Sequence, residues 1–151
     1  MAAINTGKVI AGGLLAGLVA NAFDFVTNMY LLLPDWQALA TAHNMDPAAM
    51  NTPGVAGTWI TVDFLYGILI VWTYAAIRPR LGQGVKTALC AGYLLFVAAT
   101  LVLFGFTMMG ILTMGLFVKG TLAGVVSTGA ASIAGAWVYT EADAPATAHA
   151  R

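Results

Sequence analysis

A chain of 151 residues in which 60% of side chains are hydrophobic and 8% are charged departs far from the make-up of a soluble domain, where about a quarter of residues are charged. Six basic and six acidic side chains cancel, which excludes a nucleic-acid surface and a polybasic lipid-binding patch. The single cysteine, Cys90, excludes an internal disulfide and leaves the redox compartment open.

Four apolar runs are each long enough to cross a hydrocarbon core of about 30 Å as a helix. The first covers residues 8–33. Within it Gly13, Gly17, Asn21, Asp24 and Asn28 are spaced by four, four, three and four residues, so at helical pitch they share one face. Lys8, the run to Val19, and then Ala20, Asn21 and Ala22 have the outline of a signal peptide. The apolar pattern continues to Leu33, however, and favours a retained span. The next segment, residues 34–55, holds Asp35, His43 and Asp46 but no Lys or Arg. Pro34 suits a helix start, and Trp36, Leu39, Ala40 and His43 recur on one face, as in a short helix lying in the headgroup plane. Asp46 and Pro47 offer a second start, and an irregular loop fits the same residues equally well.

The second span, residues 56–77, carries Asp63 about two turns from its start. A short connection with Arg78, Arg80 and Lys86 leads to the third span, residues 86–108, and a turn containing Met108, Met109, Gly110 and Met114 leads to the fourth, residues 115–139. Lys119 lies near the start of this last span, and Gly120, Gly124, Thr128, Ala131 and Gly135 recur along it every three or four residues. Residues 1–140 thus read as a four-span transmembrane domain and residues 141–151 as a polar C-terminal tail. Trp72 and Tyr74 recur as Trp137 and Tyr139. A duplicated hairpin would give that echo, but coincidence is favoured, because these residue types are expected at that depth.

Lys8, Arg78, Arg80, Lys86 and Arg151 fall on one side, which the positive-inside rule assigns to the cytoplasm. Tyr30, Trp36 and Trp59 mark the opposite interface. The expected fold is all-α: an integral membrane four-helix bundle with both termini cytoplasmic and a short interfacial helix as an option in the first outer loop.

Asp24, Asp63 and Lys119 come to comparable depth in the outer half, and with Asn21 and Asn28 they form a candidate intramembrane polar site. Thr61 and Tyr66 add hydrogen-bonding groups. One reading is a proton or cation pathway, since membrane carboxylates often mark such routes. The preferred reading is a clamp, in which Lys119 neutralises Asp24 or Asp63 and fixes helix register. A third is that Lys119 snorkels to the interface and touches neither. Gly13 and Gly17 of the first span, with Gly120, Gly124, Thr128 and Gly135 of the fourth, are candidate helix-packing faces, either for each other or for a partner protein.

His43 and His149 lie outside the spans, so neither serves as an intramembrane haem or chlorophyll ligand. Ser127 and Ser132 have no nearby His. Gly82, Gln83, Gly84 and Lys86 lack the spacing of a phosphate loop, and Met108, Met109 and Met114 suit packing better than a soft metal. No enzyme activity, cofactor or metal is expected.

The opening Asn5, Thr6, Gly7, Lys8, Val9, Ile10 with Gly12, Gly13 and Leu14, the inner-loop Tyr74 to Arg80, and the closing Ala134, Gly135, Ala136, Trp137, Val138, Tyr139 carry a resemblance. Over its membrane portion the chain resembles small four-span bacterial inner-membrane proteins of unknown function. That resemblance implies architecture and a bacterial inner membrane, and it brings no catalytic residues. The expected function is a non-catalytic accessory or structural subunit, embedded in the lipid bilayer and packing through its small-residue faces against other membrane proteins or a second copy. The alternative is a small proton- or cation-coupled permease that uses the intramembrane carboxylates.

Overall fold

The computed structural model describes residues 4–140, so the tail from residue 141 onward, with His149 and Arg151, lies outside the described residues. Helix α1 (Thr6–Val26) begins where Asn5 accepts a hydrogen bond from the backbone N–H of Lys8, and it passes into a π-helical turn over Thr27–Leu31. Helix α2 (Leu33–Ala42) follows directly, with Pro34 in its first turn, and a 3-10 turn over Pro47–Asn51 leads to α3 (Pro53–Leu81). Helices α4 (Val85–Met108) and α5 (Met114–Val138) complete the chain. Four of these helices are long and apolar enough to cross a membrane, which fits an integral membrane protein, and no strand occurs among the described residues.

Helix α3 outruns its expected span of 56–77 at both ends, α4 and α5 match theirs to within a residue, and α1 stops short of residue 33 where the π-helical turn takes over. Lipid sets the minimum apolar length, whereas the helix ends where its backbone is capped. Thr52 and Thr113 cap α3 and α5 through their hydroxyls, and α3 runs on through Arg78 and Pro79 to Gly82, whose φ of 81° only glycine adopts freely.

Helix α1 packs against α3 and α5, while α4 packs against α5 and α3. Glycine sets the closest approach. A Cβ on Gly67 of α3 would collide with the backbone of Gly13 and Gly17, and one on Gly17 would lie 2.6 Å from the Phe64 Cα. Gly13 and Gly17 therefore face α3, not the small-residue face of α5. That face is itself divided: Gly135 meets Val71, Ala16 and Gly12, Gly124 sits against the Phe96 ring of α4, and Thr128 is buried. Gly120 only approaches Leu32 at van der Waals distance. A helix displays small residues around its circumference, and α5 has neighbours on two sides, so one stripe serves two interfaces.

At one end of the molecule the Asn5 backbone N–H donates to the Tyr139 hydroxyl at 3.4 Å, and the Gly84 backbone N–H donates to the Tyr74 hydroxyl at 3.3 Å. The two tyrosine rings meet edge to face, 5.9 Å apart. The Trp-x-Tyr echo thus has a packing reason, since Tyr74 and Tyr139 point inward while Trp72 and Trp137 stay exposed. Helix α2 lies at the other end.

Candidate functional site: carboxylates between α1, α3 and α5

The π-helical turn begins three residues after Asp24. There the Leu32 N–H bonds to the Thr27 carbonyl, five residues back, one residue beyond the reach of a regular α-helical bond. Asn28 sits inside it. Its side-chain N–H donates to the Asp24 carbonyl at 2.8 Å, and its side-chain oxygen accepts from the Trp36 indole N–H of α2 at 2.9 Å. Asn21, one turn before Asp24, donates to the Gly17 carbonyl at 2.9 Å and to the Ile60 carbonyl of α3 at 3.4 Å.

The half-buried Asp24 carboxylate accepts one hydrogen bond, from the buried Ser127 hydroxyl of α5 at 3.1 Å. Asp63 on α3 is also half-buried, and its backbone carbonyl lies against Gly17 of α1. It makes no hydrogen bond or ion pair among the described residues. The Tyr66 hydroxyl is buried without a hydrogen bond of ordinary geometry. Thr61 turns away and donates to the Gly57 carbonyl of its own helix.

Lys119 does not join this group. Its ammonium donates to both carboxylate oxygens of Asp35, in the first turn of α2, at 2.9 and 3.0 Å. The expected clamp of Lys119 on Asp24 or Asp63 is therefore replaced by an ion pair between α5 and α2. Lys119 lies in the second turn of α5, and its flexible stem carries the strongly hydrated ammonium toward that exposed end. The structure thus places Asp24 and Asp63 on the facing helices α1 and α3, sets the Asn21 and Asn28 side chains on backbone carbonyls, and ties Lys119 to Asp35.

Ser127 and Asp35 were missed as partners. Depth was the available signal for Asp35, since it and Lys119 both sit at the edge of an apolar run. Ser127 had none, because a hydroxyl among small residues reads as packing.

A separate cleft of about 450 Å³ opens at the opposite end, lined in part by Tyr74, Arg78, Gln83, Trp137 and Tyr139. Arg78 donates to Gln83 at 2.8 Å and lies over the Tyr139 ring at 5.5 Å. No protein-family model matches the chain, and comparison with curated proteins and with solved structures finds no match.

Proposed function

We propose that the chain is a small proton- or cation-coupled permease of a bacterial inner membrane, a four-helix bundle with both termini on the cytoplasmic side and no enzymatic role. Asp24 and Asp63 take up and release the carried cation. One observation carries this reading: Lys119 is engaged by Asp35, so neither carboxylate inside the helix group has a cationic partner among the described residues, Asp24 accepting only from the Ser127 hydroxyl. A carboxylate in a low-dielectric interior is kept there by a cation or a proton, which makes such a pair an exchange site. The π-helical turn beside Asp24 adds the irregular helix that a plain structural span lacks.

A second reading, the non-catalytic accessory subunit, draws on α4. Every residue from Leu101 to Phe106 is exposed, so nearly two turns of that helix have a free circumference to offer a partner protein. The small-residue faces lend it little support, because Gly13, Gly17, Gly124 and Gly135 are all packed against neighbours within the chain.

Flux measured in vesicles reconstituted with the purified protein, under an imposed proton or sodium gradient, separates the two. Asp24→Asn and Asp63→Asn are each expected to lower it by about ten-fold or more, the effect of ~1.4 kcal/mol in site occupancy. Flux indifferent to both substitutions removes the permease and leaves the accessory subunit standing.

A further inference from the structure

The segment outside the carboxylate pair is tied down at three points, each made by a different kind of force. Asp35 of α2 is ion-paired to Lys119 of α5. Trp36 of α2 donates to Asn28, which in turn holds the Asp24 carbonyl. Leu32 and Leu39 are buried against Leu116 of α5, with Trp36 and Leu112 packed around them. Behind these contacts lies the π-helical turn, the one stretch between α1 and α2 where the i→i−4 ladder is interrupted.

We infer that α2 is a strap over the outward mouth of the Asp24–Asp63 site, hinged at Thr27–Leu31 and latched by Asp35–Lys119 and Trp36–Asn28. The inference rests on the permease reading for what the strap controls, but the latch itself is a matter of access alone. Both latches are of a kind that opens readily. The ion pair is half-exposed, with the Lys119 side chain 49% accessible, so water and salt compete for it. The indole bond is a single neutral hydrogen bond. The leucine cluster of three buried residues is small enough to part and reseat without disturbing the separate core around Ala16, Val71 and Ala131. Because Asn28 bonds Trp36 on one side and the Asp24 backbone on the other, release of the strap loosens the helix at the carboxylate itself.

Access can be read without any flux. In a Cys90→Ser background, Asp63→Cys and, separately, Ser127→Cys report the labelling rate by a membrane-impermeant, charged thiosulfonate added on the α2 side of reconstituted vesicles. Adding Lys119→Gln together with Trp36→Phe is expected to speed labelling roughly ten-fold, since an exposed ion pair and one hydrogen bond hold a population by about that factor. The reciprocal exchange Asp35→Lys with Lys119→Asp, in the presence of native Trp36, is expected to return the slow rate. Equal rates with and without the latch at both reporters overturn the strap, and so does a charge exchange that labels as fast as the broken latch. Faster labelling combined with flux insensitive to Asp24→Asn and Asp63→Asn keeps the strap and overturns the permease.

Discussion

At the scale of single residues, one backbone-to-backbone constraint between α1 and α3 falls on a glycine that the sequence pattern did not single out. Gly67 has the backbone of Gly13 and Gly17 where its Cβ would be, so no rotamer change relieves an added methyl and α1 must move off α3. Gly67→Ala is therefore expected to destabilise the protein by about 1–3 kcal/mol, read as an earlier midpoint in unfolding by a denaturing detergent. Gly57→Ala, on the same helix with open space around its Cβ, is expected to be neutral or to stabilise by up to about 1 kcal/mol through helix propensity. Equal losses at the two positions would mean that the close approach of α1 and α3 does not hold the fold. The first-span stripe was legible because glycines spaced by four on a helix announce a close neighbour. Which neighbour was not legible, since Gly67 stands alone between Tyr66 and Ile68 with no companion small residue to mark a face.

At the scale of elements, all four spans stood out in the sequence, because a bilayer demands an unbroken apolar run and composition alone reveals one. The start of α2 was legible through Pro34, which favours a first turn. The π-helical turn was not, because shifting a hydrogen bond by one residue leaves no mark on composition, and the apolar run passes straight through it. This turn carries a geometric consequence. It holds one residue more than an α-helical path needs, and each residue rotates the chain by about 100°, so the extra residue fixes the direction in which α2 leaves. Carbodiimide, which joins a carboxylate to an amine with no spacer, is expected to form the Asp35–Lys119 amide in the native chain, detected as a cross-linked peptide pair that has lost one water. Deleting Met29, an exposed residue of that turn, rotates α2 away and is expected to abolish the cross-link. Persistence of the cross-link after the deletion would show that the leucine cluster, not the turn, aims α2.

At the scale of the whole molecule, charge and helix length act together on how the chain sits in a membrane. The 29 residues of α3 span roughly 43 Å, well beyond the hydrocarbon thickness of about 30 Å, so part of that helix must stand in the headgroups or in water. Its last turn carries Arg78 and Arg80, and Lys8 and Lys86 lie at the same end, where the Asn5 and Tyr139 contact also gathers the described chain ends. Cations near span ends are retained on the cytoplasmic side during insertion, whereas the α2 end has Lys119 paired with an acid and Asp46 nearby in sequence. The expected orientation places the α3–α4 turn inside and α2 outside. In a Cys90→Ser background, Ala48→Cys is expected to react with an impermeant thiol reagent in intact cells, and Gln83→Cys only after the membrane is permeabilised. The reverse pattern would turn the carboxylate site toward the cytoplasm, and the strap over it would then control release to the inside.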